Sequence, residues 1–195
     1  MKIILATASP TRNKCFKQLN LEYEAISTDI DENQYKNTIT DHKQLATTLA
    51  KAKAESLAHV KDAIIIGCDT LNIRNNEIHS KPKSYEEAFN SIKAVSNNVE
   101  TVYTGICIIN TKTNTTYTDC SVMSIRFNEI KDEHIHNYLK QRIKEGKFTA
   151  SCGFEPDSFF PLKHHKHFEG STTNLLYGLP IELILPKLRE FGIDV

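Results

Sequence analysis

Apolar residues recur along the chain in two rhythms. "KIILA" at 2–6 and "AIIIG" at 63–67 are short, unbroken apolar runs, which predict strands buried on both faces of a sheet. In "TDCSVMSIRF", Met123, Ile125 and Phe127 alternate with Ser124 and Arg126, which predicts a half-buried strand. The polar turn "TKTNTT" joins it to a preceding strand, "ETVYTGICIIN", and "LNIRNNEIHS" predicts a short hairpin turning at Asn75–Asn76.

The helical rhythm appears elsewhere. Cys15, Phe16 and Leu19 share one face behind Ser9 as cap and Pro10 in the first turn, with Asn20 as the stop. A long helix is expected over roughly 41–60 behind Asp41, and Ser84 with Glu87 forms a capping box for a helix burying Ala88, Ile92 and Val95. Ile135, Tyr138 and Leu139 mark another, and "GLPIELI" opens a closing helix that Pro186 should kink. The stretch "STDIDENQYKNTIT" and the section holding Glu155, His164, His165 and His167 read as irregular. Interleaved strands and helices with hairpin spacing predict an α/β fold: a mixed sheet flanked by helices.

Composition narrows the function. The chain has 195 residues, which fits one domain over 1–195 with room for two lobes. Lys plus Arg equals Asp plus Glu, 24 each, so nothing in the charge suits coating nucleic acid or an anionic membrane. "MKIILATASP" is too short an apolar run for a secretion leader, and no stretch has the length of a membrane span. The five cysteines are scattered without pairing, as thiols are in a reducing compartment. The expectation is a soluble, cytoplasmic protein; a homodimer is compatible with the sequence.

The long helix carries the sharpest chemical clue. At about 100° per residue, Leu45, Leu49, Ser56, Leu57 and Val60 fall within about a third of a turn. Lys53 falls in the same sector and Lys51 opposite. A lysine in an apolar stripe is costly unless its ammonium snorkels out or meets an anion. Other residues exceed what folding asks. Asp69 stands just past the predicted strand 63–67, Lys81 in the proline-stiffened loop "HSKPKS", Glu32 in "DIDEN", and Arg12 at a helix N-terminus suited to anions. Each has an ordinary alternative: Asp69 as a turn former, Lys81 and Glu32 as solvated charges, Arg12 in a local ion pair. Together they make three cations and two carboxylates, the set a metal-assisted polyphosphate site needs.

"LATASPTR", "DE" at 31–32, "LAKAKA" at 49–54, "GCDT" at 67–70, "KP" at 81–82, "VYTG" at 102–105 and "GLP" at 178–180 together resemble the Maf family, in order and spacing, over almost the whole chain. The resemblance implies a nucleoside triphosphate pyrophosphatase. Its fold would have two lobes around a nucleotide cleft, similar to the inosine-triphosphatase-like fold. It further implies that Ser9, Arg12, Lys53 and Lys81 bind phosphates. Glu32 and Asp69 would hold Mg²⁺ or Mn²⁺ and handle water, with Asp69 as general base. Thr11 and Glu155 depart from the family's patterns while Thr70 is kept where a 7-methyl-GTP branch differs, so the three make a mixed signature for the base. An ionised Glu155 only accepts hydrogen bonds, so it suits the donor edge of guanine, such as that of 7-methyl-GTP, better than uracil or thymine.

Other readings stay open. The same residues could serve a nucleotide-binding regulatory protein without catalysis. "DTLN" could belong to an aspartyl-nucleophile phosphatase, though the usual second aspartate is absent. Cys68 beside Asp69 is read as a small buried residue, and His164, His165 and His167 match no common metal spacing. There is no Walker A or G-x-G-x-x-G sequence.

Overall fold

A computed structural model of the chain describes residues 1–144 and 158–195. Cys152 and Glu155 lie outside the described residues. The elements run β1 (Lys2–Ala6), α1 (Pro10–Lys17), β2 (Glu24–Ile26), α2 (Asn33–Lys36), α3 (His42–Glu55), β3 (Ala63–Arg74), β4 (Glu77–His79) and α4 (Tyr85–Val95). They continue with β5 (Val99–Asn110), β6 (Thr115–Phe127), α5 (Asp132–Lys144), α6 (Phe160–His164), β7 (His165–Glu169), α7 (Thr172–Tyr177) and α8 (Ile181–Glu190). A seven-stranded sheet has the order β2-β1-β3-β5-β6-β7, with β4 paired to β3. β1 runs parallel to β2 and β3, whereas the β3/β4 and β6/β7 pairs are antiparallel. The sheet is therefore mixed, as expected.

The chain forms two compact units: Met1–Thr70 with Tyr103–Ser121 and Ser171–Val195, and Leu71–Val102 with Val122–Gly170. In the first unit the strand pleat sorts the core. Ile3, Leu5, Ile64, Ile66 and Cys68 pack with Cys15 and Phe16 of α1 and Ile184 and Leu188 of α8. Ile4, Ala6, Ala63 and Ile65 face the other way, onto Ala50 and Ala54 of α3. Each large side chain so buried contributes about 1.5–3 kcal/mol. α3 lies very close to the sheet: a Cβ on Gly67 would stand 2.2 Å from the Ala50 carbonyl oxygen, and one on Gly105 2.2 Å from that of Ala46.

Several boundaries differ from the sequence reading. α1 ends at Lys17, and Asn20 takes a left-handed turn beyond it. α3 stops at Glu55, so the last turn of the expected 41–60 helix is a set of tight turns. The polar stretch after β2 holds the short α2, and β2 itself, three residues at the sheet edge, carried no apolar alternation. The histidine section is ordered into α6 and β7: His164 packs by its ring against His134 and Phe160, and His167 pairs with Glu169 at 2.9 Å. α8 continues through Pro186 to Glu190.

Candidate active site

β3 is longer than the apolar run that announces it, and that changes the place of Asp69. It lies inside the strand, not beyond its end, because pairing continues to Arg74. Side chains alternate faces along a strand, so Asp69 shares the face of Ile65 and Gly67, toward α3. Thr70 shares the face of Ile66 and Cys68, toward α1. One residue step thus separates two polar clusters.

On the α3 face, Lys53 comes one turn after Leu49 and reaches Asp69. Its ammonium donates to Asp69 Oδ1 and pairs with Glu32 Oε1 at 2.9 Å. The Lys53 and Asp69 side chains are 14% and 10% exposed, so most of this contact is dry. Lys53 therefore neither snorkels nor lacks a partner. Burial would lower its pKa, but the Asp69 and Glu32 carboxylates outweigh that and raise it. Glu32 stands at the start of α2, and its other oxygen, Oε2, accepts from Lys36 at 2.6 Å. Burial alone would push Glu32 up; hydrogen bonds and charge from Lys36 and Lys53 win and hold it at about 2. Lys51 points away and pairs with Glu55 at 3.7 Å on the surface.

On the α1 face, Ser9 caps the helix by accepting from the Arg12 N–H at 3.4 Å. The Arg12 guanidinium donates to the Gly178 carbonyl at 2.9 Å, the Cys68 carbonyl at 3.0 Å and Thr70 Oγ1 at 2.8 Å. Three of its five N–H groups are thereby engaged. Thr70 continues to Thr104 Oγ1 at 2.9 Å, which donates to Asn174 Oδ1 at 2.5 Å, and Asn174 donates to Ser121. Gly178 adopts φ +58°, and a Cβ there would crowd Thr70 Oγ1 at 3.0 Å. Thr11 occupies the first turn of α1, half buried. Cys68 is fully buried, and desolvation raises its pKa, which keeps the thiol protonated and inert.

Lys81 belongs to the second unit. It lines a cavity of about 470 Å³ there with Arg74, His79 and Lys83. Arg74 donates to the Ser91 carbonyl at 3.2 Å and to His79 Nδ1 at 3.0 Å, which leaves the ring proton on Nε2. The guanidinium also stands 3.6 Å from the carboxylate of Glu100, a residue only 1% exposed whose two oxygens have no hydrogen-bond partner. Desolvation raises the Glu100 pKa to about 7, with Arg74 partly opposing it.

The first unit thus brings Glu32, Lys53 and Asp69 together on one face of β3 and sets Ser9, Arg12 and Thr70 on the other, toward α1. Sequence reasoning passed over Lys36, Thr104 and Asn174. Lys36 was findable from its i,i+4 spacing to Glu32, but only once α2 was recognised. Thr104 and Gly178 stood inside the quoted "VYTG" and "GLP", where spacing alone gave them no task. Two carboxylates turned onto one cation are hard oxygen donors of the kind Mg²⁺ and Mn²⁺ accept, the other ligands then being water and phosphate. Among the described residues no group of three or more His, Cys, Asp or Glu is placed to hold a metal. Among the same residues no helix is long and apolar enough to cross a membrane.

Comparison with known proteins bears on this arrangement. The chain is 40% identical over 152 residues to a protein of Clostridium novyi (strain NT) named dTTP/UTP pyrophosphatase, covering 77% of this chain and 79% of that one. It is 35% identical over 198 positions to another of that name from Clostridium perfringens (strain ATCC 13124), covering all of both chains. Among solved structures it is similar to a HAM1 protein from Coxiella burnetii, with a TM-score of 0.49 at 12% identity over 97% of this chain and 99% of that one. The model of the Maf-like protein family matches residues 2–191, nearly the whole of the 195-residue chain, and so the chain belongs to the Maf family.

Proposed function

We propose that the protein hydrolyses a nucleoside triphosphate to the monophosphate and pyrophosphate. The observation that carries this reading is the Lys53 ammonium joined to both the Glu32 and the Asp69 carboxylates. Family membership and relatives named dTTP/UTP pyrophosphatase support it. In this reading Asp69 takes a proton from the water that attacks the α-phosphorus. Lys53 has three N–H donors on a flexible stem, and it neutralises charge moving onto the leaving pyrophosphate. Ser9 and the free N–H groups of Arg12 face phosphate oxygens at the start of α1. Glu32 and Asp69 would hold a Mg²⁺ or Mn²⁺ ion, which when bound supplies positive charge to the phosphates and acidifies water.

For the base, the relatives' names favour uracil and thymine. The guanine-type alternative rests on Glu155, which lies outside the described residues. Pyrophosphate release from UTP, dTTP, GTP and 7-methyl-GTP, with wild type and Glu155→Gln, tests both levels. A pyrimidine preference that Glu155→Gln leaves unchanged is the expected result. A guanine preference that Glu155→Gln abolishes would reverse the choice of base. No pyrophosphate from any of the four would remove the catalytic reading in favour of a nucleotide-binding regulator.

A further inference from the structure

We propose that Lys53 is a built-in counter-cation that holds the metal position in the free enzyme, so that the divalent ion enters with the nucleotide and not before it. The proposal rests on the reading of Glu32 and Asp69 as metal ligands.

Lys53 Nζ contacts one oxygen of each carboxylate, Glu32 Oε1 at 2.9 Å and Asp69 Oδ1 closer still. Those two oxygens therefore converge on a single point. A Mg²⁺ or Mn²⁺ ion held by both of these oxygens would need the space that the ammonium fills. Ammonium and metal ion exclude each other there, first by space and then by like charge. The local charge is also already balanced: Glu32 and Asp69 face Lys53 and Lys36, the latter at 2.6 Å from Glu32 Oε2. A divalent ion arriving alone meets no net negative charge and must displace a cation from a mostly dry contact. A triphosphate changes this balance, because it brings several negative charges of its own, which attract both the Lys53 ammonium and a divalent ion. The lysine stem is long enough to redirect its ammonium while its Cα stays fixed in α3. Both carboxylates are then released for the metal. Nucleotide and metal binding are positively coupled, and linkage makes the coupling equal in both directions.

The test is direct Mn²⁺ binding, read by electron paramagnetic resonance on nucleotide-free protein. Lys53→Met and Lys53→Gln should bind Mn²⁺ at least about tenfold more tightly than wild type, a coupling of ordinary size. Lys51→Met should match wild type, and Glu32→Gln added to Lys53→Met should remove the gain. Wild type holding α,β-imido-UTP should bind Mn²⁺ more tightly than that nucleotide does alone, with a smaller increment in Lys53→Met. Thermal shift in Mn²⁺ gives a second readout, since the ion should stabilise the Lys53 variants more than wild type. If both folded Lys53 variants bind Mn²⁺ no better than wild type, while Glu32→Gln still abolishes binding to the nucleotide complex, the counter-cation role is wrong and the metal ligands stand. If Glu32→Gln and Asp69→Asn leave Mn²⁺ binding unchanged in every state, the metal reading fails and this proposal with it.

Discussion

Glu100 gives the folded protein a stability that falls as pH rises, and Glu100→Gln should remove that fall. The carboxyl is 1% exposed, lacks hydrogen bonds and stands 3.6 Å from Arg74. Burial lifts its pKa from an ordinary 4.5 to about 7. Between those values the native state keeps a proton that the unfolded chain releases, so raising the pH favours unfolding. The contribution is fully present below pH 4.5 and lost as pH rises through 7. At 1.36 kcal/mol per unit the full swing is about 3 kcal/mol, and about 2.5 kcal/mol of it falls between pH 5 and 8. Gln cannot ionise, and any constant effect of its amide cancels when two pH values are compared. Urea unfolding of wild type and Glu100→Gln at pH 5 and pH 8 measures the double difference. The variant should gain on wild type by about 2.5 kcal/mol at the higher pH, or roughly 5–10 °C in Tm for a chain of this size. An equal stability difference at both pH values would mean that the carboxyl is solvated or already ionised at pH 5.

Asp69→Asn should lower kcat by roughly 10²–10⁴ with little change in KM, and near-normal turnover would move the proton-accepting role away from Asp69. Lys53→Ala should lower activity and also lower Tm in metal-free buffer, because it strands the buried Asp69 beside Glu32. Lys51→Ala, losing only a surface pair, should leave both unchanged in circular dichroism melts and steady-state assays. Glu32, held at about 2, contributes stability above its ordinary 4.5 that is lost as pH falls through 2. Melts between pH 5 and 2.5 should therefore fall more steeply for wild type than for Glu32→Gln.

The elements that sequence foretold best are those whose burial pattern is local. β1, α4 and the Met123–Ile125–Phe127 alternation of β6 each follow from residues that meet the core within their own segment. Lys53 was legible for the same reason: helical phase alone put it on the buried face of α3, although its carboxylate partners came from elsewhere. What stayed hidden depends on distant pairing. β2 is a strand because β1 offers it an edge, with Leu5 opposite Ala25, and nothing in "EAI" says so. The runs at 63–67 and 71–74 read as separate strands in the sequence; they are one strand, β3, and that continuity, which no local pattern announces, places Asp69 inside the sheet. The Thr70–Thr104–Asn174 chain joins three segments, and no local spacing could have linked them.

The contact of α3 with Gly67 and Gly105 sets a length that side chains do not tune. Elsewhere a helix rests on its sheet through methyl groups, and swapping Leu for Ile or Val changes the gap by fractions of an ångström. Here helix carbonyls meet strand glycines, so main chain abuts main chain. Lys53 is one turn beyond Leu49 on that helix and Asp69 two residues beyond Gly67 on that strand, so the interval they bridge is gauged by backbone alone. The core around Ile4 and Ile65 can therefore be recut with other apolar residues while the ammonium and carboxylate keep their span. A single methyl at Gly67 would reset it.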